Sequence, residues 1–187
     1  VNTALFYDTI DDLQVQRPEN GTLITLNAAE AETSGIEFEG IALLTDALTA
    51  NLNLAYVNAE FVDFETANPT TAPGTQVNLK GNPLPNAPEV QADLSLEYAW
   101  DMTDNWSVNA RLQGVYTDER WFNEFQEAIS YQDDTFSTNA NILIASGDGH
   151  WTLNLWGRNL TDEDIITHVN VGSATLGFLR VGTFYAP

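Results

Sequence analysis

The side chains best equipped for chemistry in this sequence are few and scattered. Its two histidines, His150 and His168, stand in no His-x-x-x-His pattern, and cysteine is absent. Neither an imidazole or thiolate metal set nor a nucleophile beside its base can be read from such spacing. The acidic runs Asp11-Asp12 and Asp162-Glu163-Asp164 could attract Ca²⁺, but neither has calcium-loop spacing, and solvated loop carboxylates are the plainer reading. No catalytic residue, metal or cofactor is expected, so the chain is expected to act by binding and not as an enzyme. Recognition is better served. In Arg120-Trp-Phe-Asn-Glu-Phe125, the side chains of Arg120, Trp121, Phe122 and Phe125 could stack on a ligand or pair with it, although an aromatic girdle explains the rings as well. Arg111 and Arg158 could contact an anionic ligand or pair with neighbouring carboxylates, and pairing is the expectation.

The elements that must position these residues read as long β-strands. In Glu89 to Trp100 the even positions Val90, Ala92, Leu94, Leu96, Tyr98 and Trp100 are apolar or aromatic, while Glu89, Gln91, Asp93, Ser95 and Glu97 are polar. Successive strand side chains point to opposite faces, so the segment has one oily and one wet side. The same alternation recurs elsewhere. Ile36, Phe38, Gly40, Ala42 and Leu44 oppose Glu37 and Glu39; Trp106, Val108, Ala110 and Leu112 oppose Asn109, Arg111 and Gln113; Leu153 and Leu155 oppose Thr152, Asn154 and Arg158. Tyr98, Trp100, Trp106 and Trp151 sit at the ends of their apolar faces, as at the interfaces of a membrane barrel.

Connections alternate in length. Turns are expected near residues 45–49, at Asp101 to Asn105 and at 146–149; longer connections at 17–21, 65–88, 118–134 and 161–180. Short turns on one side and long loops on the other are a barrel arrangement. Strands of about 9–11 residues match the thickness of an apolar bilayer band, whereas a soluble strand averages about 5–6. A soluble β-sandwich binding module would give the same alternation with its oily face inward, and a porin-like passive barrel is a further alternative.

Charge narrows the partners. Six Lys and Arg stand against 27 Asp and Glu, a formal charge of −21, which disfavours nucleic acid and polybasic attachment to anionic lipid. No run of 18 apolar residues forms a membrane helix, and the first residues start in a strand pattern without a signal peptide, which is expected of a piece of a longer chain.

Three stretches carry a family resemblance. Asn27-Ala-Ala-Glu-Ala-Glu-Thr-Ser-Gly-Ile-Glu-Phe-Glu-Gly40 resembles the "N-A-x-x-x-x-x-x-G-x-E-x-E" strand of TonB-dependent outer-membrane receptors. Gly81-Asn-Pro-Leu-Pro-Asn-Ala-Pro-Glu89 resembles their Pro-rich approach to a descending strand, and Trp156-Gly-Arg-Asn-Leu-Thr-Asp-Glu-Asp164 is similar to the "R-N-L-T-D" segment ending the penultimate strand. The resemblance implies an all-β, antiparallel transmembrane β-barrel. Residues 1–187 would supply about seven to eight strands from the C-terminal part of a 22-stranded barrel, with the plug domain and the last strand absent from this chain. It implies the outer membrane of a Gram-negative bacterium and contact with outer-membrane lipid. It also implies an N-terminal plug that reaches TonB, and uptake of a scarce small molecule such as a metal chelate, cobalamin or a glycan. Glu37 and Glu39 would then face the plug, or stand hydrated in the lumen.

Overall fold

The computed structural model describes residues 1–19, 22–68, 75–171 and 180–184. Its strands are β1 (Asn2–Glu19), β2 (Thr22–Leu43), β3 (Leu48–Asp63), β4 (Glu65–Ala67), β5 (Gln76–Asn78), β6 (Val90–Thr103), β7 (Trp106–Thr117), β8 (Arg120–Trp121), β9 (Tyr131–Gln132), β10 (Thr135–Ser146), β11 (Thr152–Gly157), β12 (Ile166–Val171) and β13 (Arg180–Phe184). Seven of them form one antiparallel sheet in the order β1-β2-β3-β6-β7-β10-β11, each neighbour being the next long strand in sequence. The paired hairpins β4-β5, β8-β9 and β12-β13 stand apart from it.

Register stacks the oily residues across strands. Leu94 pairs with Leu52 and Gly114, Leu96 with Ala50 and Leu112, and Tyr98 with Leu48 and Ala110. Ala110 in turn pairs with Ile142, which pairs with Leu155. This face lies open: Leu5 is 79% exposed, Leu112 52% and Leu155 53%. The chain exposes 12007 Å², where a compact globule of its 20.6 kDa would expose roughly 8,900 Å². Among the described residues no second sheet packs on this oily face. Two residues of that face cover glycines: the tip of the Phe136 ring lies against Gly114 and the Phe38 ring against Gly40. On the polar face the Phe6 ring lies over Gly35, where a Cβ would run into the Tyr56 carbonyl oxygen.

The strands outrun the expected lengths. β1 has 18 residues and β2 has 22, about 60 and 73 Å at 3.3 Å per residue. The connection expected at 17–21 is therefore mostly strand, with residues 20 and 21 outside the described set. Register slips in β1 at Ile10 to Gln14, where Asp12 takes φ 57°, and between Glu30 and Ala31 on the β2–β3 side. β2 thus continues through that irregularity and ends at Leu43, leaving Leu44, expected on the oily face, in the turn. The turn expected over Asp101 to Asn105 shrinks to Asp104-Asn105, because β6 runs on through a bulge at Met102 to pair Thr103 with Trp106. β11 starts at Thr152, which places Trp151 in the preceding turn. The connection at 64–88 contains β4, β5 and a bridge between Glu60 and Pro83; that at 118–134 contains β8, β9 and a short 3₁₀ turn at Ala128–Ser130.

Among the described residues, the packed cluster of buried apolar side chains lies beyond the sheet's oily band. Ala29, Phe61, Phe64 and Leu79 are buried together, with Leu13, Val77, Leu84 and Phe125 against them. These residues come from the halves of β1, β2 and β3 away from the short turns and from the connections at 64–88 and 118–134, so the long-loop side forms a packed layer.

Candidate functional site

The polar face carries a ladder of side-chain hydrogen bonds running across strands. Gln113 on β7 donates its amide to Asp93 on β6, and Asn139 on β10 donates to Gln113 Oε1 at 3.3 Å. The Asn159 backbone N–H donates to Asn139 Oδ1 at 3.0 Å. Asn109 donates to Glu97 at 2.6 Å, Asn51 to Ser95 Oγ at 3.4 Å, and Asn141 to Asn154 Oδ1 at 2.5 Å. Each side-chain pair lies across strands on the same face, where opposed side chains come within reach, and Asn159 joins from just past β11. Such amide and carboxylate pairing satisfies a wet wall without filling it, leaving recesses.

Two recesses separate by charge. One, of about 430 Å³, is lined by Arg111, Gln113, Asn139, Asn141, Asn154, Trp156 and Arg158 among others. Register brings its halves together: Asn141 is paired with Arg111 on one side and Trp156 on the other. The Arg158 guanidinium lies over the Trp156 ring at 5.5 Å. The expected pairing of Arg111 and Arg158 with carboxylates is not what the structure shows: among the described residues neither joins an ion pair. No carboxylate lines the recess that holds the two arginines, and Glu97, across from Arg111 in register, accepts from Asn109 at 2.6 Å. The second recess, of about 270 Å³, holds Glu37 and Glu39 with Asn53, Gln91 and Asp93. The structure thus gathers Arg111 and Arg158 at one place and Glu37 and Glu39 at another. Trp156 and the asparagines were missed by sequence reasoning, although parity with Asn154 puts Trp156 on the polar face.

Arg120, Trp121, Phe122 and Phe125 go to the outer layer. Arg120 Nη2 donates to the Ile166 carbonyl at 2.9 Å, its guanidinium sits 5.3 Å from the Phe122 ring, and its Nε is buried without a partner. Trp121 lies against Tyr131 with ring centroids 4.6 Å apart, and its carbonyl accepts from Asn86 N–H at 2.6 Å. Phe125 packs on the Phe61–Phe64–Leu79 cluster. The segment therefore clamps one long connection to another, and of its rings Trp121 also borders a small recess with Pro83, Ala87 and Glu89.

Electrostatics follows burial here. Glu124 is pushed above the usual carboxylate range by burial, with Glu127 adding to the rise and a backbone hydrogen bond opposing it. Tyr131 is raised to about 12, chiefly because its hydroxyl donates to Glu119. Beside the β10–β11 turn, Asp148 is lowered by hydrogen bonds from Ser146 and His150, and pairs with the exposed His150 ring at 3.1 Å. After β11, Asn159 at φ 47° accepts from the Glu163 N–H at 2.9 Å and donates to the Glu163 carbonyl, while Thr161 Oγ1 donates to the Phe136 carbonyl at 3.0 Å. The Asn159-Leu-Thr161 motif is a staple that turns the chain over the end of β10.

A family model described as "TonB dependent receptor-like, beta-barrel" matches residues 1–160. Among solved structures, the ferric yersiniabactin uptake receptor FyuA from Yersinia pestis superposes with a TM-score of 0.76 at 18% identity, over 98% of this chain and 25% of that one. The siderophore receptor PiuA from Acinetobacter baumannii gives 0.68 at 19%, over 97% and 24%. BauA, the ferric preacinetobactin receptor of the same organism, gives 0.59 at 14%, over 88% and 22%. The chain spans about a quarter of the length of these receptors.

Proposed function

The chain belongs to the TonB-dependent receptor-like β-barrel family, and from that premise we propose that it is a wall section of an outer-membrane receptor that imports a scarce ligand. The observation that carries the reading is the two-faced sheet: an open oily face for lipid, and an amide-laddered polar face for a water-filled lumen. Among the described residues the seven-stranded sheet runs from β1 to β11 without joining its two ends, and lipid does not tolerate unpaired strand edges. Residues 1–187 are accordingly read as the C-terminal part of a larger barrel, completed by further strands, a plug and, through the plug, TonB. The packed layer faces outward, away from the short turns. Glu37 and Glu39 face the plug, and Trp121 is the outer-layer residue placed to touch ligand.

Of metal chelate, cobalamin and glycan, the metal chelate of a siderophore is the class favoured, since the solved receptors of this shape are named for such ligands. The test is ⁵⁵Fe–siderophore uptake by Gram-negative cells carrying or lacking the parent gene, with and without TonB. Uptake that needs both supports the reading. Uptake that needs the gene but not TonB overturns it in favour of the porin-like barrel.

A further inference from the structure

We propose that the recess of Arg111, Trp156 and Arg158 is an anion subsite on the lumen wall, taking a small ligand that carries carboxylate or similar oxyanions together with hydroxyl groups. The inference rests on the barrel reading and adds a chemical class to one place in it. Four observations carry it. Two of the chain's six cations gather in a single recess of about 430 Å³ in a chain of net charge −21. Among the described residues neither cation is spent on an ion pair, although Glu97 stands directly across from Arg111 in register. That carboxylate accepts from Asn109 at 2.6 Å, and the lining of the recess itself includes no carboxylate. The polar part of the remaining lining is all amide: Gln113, Asn139, Asn141 and Asn154 offer donors and acceptors suited to hydroxyls, and Trp156 adds a flat face. An arginine fork binds a carboxylate with two parallel hydrogen bonds, and in a wall this acidic an anion finds few other places to stop. Arg111 lies midway along β7, well below the packed outer layer, so the subsite is a station inside the lumen and not part of the loop surface.

The experiment uses the full-length parent receptor in detergent micelles and citrate, a hydroxy-tricarboxylate, as probe. Tryptophan fluorescence reports the titration, with Trp156→Phe assigning the signal. A saturable, salt-sensitive response is expected in the wild type. Arg111→Gln and Arg158→Gln should each weaken it about 10-fold or more, as expected for losing a charge-assisted hydrogen bond. Glu97→Gln, which removes the competing charge, should tighten it. Heat-modifiable gel migration shows that each variant still folds as a barrel. No saturable response, or one equal in the arginine variants, overturns the proposal. So does a response that emerges only when the plug is deleted, which would make a plug carboxylate the occupant. TonB-dependent uptake is scored separately, so an active receptor whose citrate response ignores both arginines refutes the subsite and leaves the transporter reading standing.

Discussion

Replacing Phe64 by alanine should open the outer layer while leaving the barrel wall closed. Phe64 is 2% exposed, its ring centroid lies 5.0 Å from that of Phe61, and Ala29 and Leu79 complete the cluster. Its backbone carbonyl accepts from Leu79 N–H at 2.8 Å, and Phe61 exchanges bonds with Asn82 and Gly81 at 3.0 and 2.8 Å. The ring thus packs behind the bonds that hold the 64–88 connection against β3. Deleting a buried Phe ring costs about 3–5 kcal/mol. At about 1.4 kcal/mol per tenfold, hydrogen-exchange protection of the Leu79, Gly81 and Asn82 amides should fall roughly 100- to 4000-fold, up to the limit of their protection in the wild type. Amides of β6 and β7 midway along the sheet, such as Leu96 and Leu112, belong to a wall that the ring does not touch and should keep their rates. Hydrogen-exchange mass spectrometry on the parent receptor in micelles reads both sets at once. Equal loss in both sets, or no loss at Leu79 and Gly81, would refute the idea of a separately packed layer.

Three further outcomes follow from named contacts. Leu96→Arg places a charge on the lipid face and should cost about 2–4 kcal/mol in urea-dependent folding into lipid vesicles, whereas Asn53→Arg, beside acids on the polar face, should cost about 0–1 kcal/mol. Gly35→Ala drives a Cβ into the Tyr56 backbone oxygen; because that neighbour cannot swing aside, the yield of heat-modifiable folded barrel should drop, and a normal yield would contradict the close approach of β2 and β3. Burial raises Glu124 above its unfolded value, so the folded layer binds the proton more tightly and loses stability as pH rises through the range between the two values. Glu124→Gln should therefore slow exchange at Asn82, whose side chain donates to the Glu124 carbonyl, at neutral pH, and flatten its pH dependence.

What was legible in the sequence was whatever depends on strand parity. The alternation from Val90 to Trp100 needs only the two-residue repeat of an extended chain, and it assigned the faces of Leu94, Glu37, Arg111 and Arg158 without knowledge of any partner strand. Element ends were less legible, because Asp101-Met102 has turn-like composition yet is absorbed by a bulge. The long reach of β1 and β2 past any bilayer was hidden for the same reason: beyond the lipid, pairing is sustained by a neighbouring strand and a packed layer rather than by a regular oily face. Contacts distant in sequence were not legible. Phe125 meets Phe61 and Leu79 only after two connections fold together, so its packing role could not be read from its own segment. Likewise Arg111 and Arg158 share a recess because β10 lies between their strands, a fact of register that neither residue's own segment records.

Nitroxide labels at Leu94, Leu153 and Gln91 in the intact parent receptor, reconstituted in bilayers, test the two-faced wall most directly. Labels at Leu94 and Leu153 should collide frequently with lipid-dissolved oxygen, and the label at Gln91 with a water-soluble nickel complex. Labels at Leu94 and Leu153 shielded from both reagents, as inside a packed protein core, would contradict the assignment of the oily face to lipid.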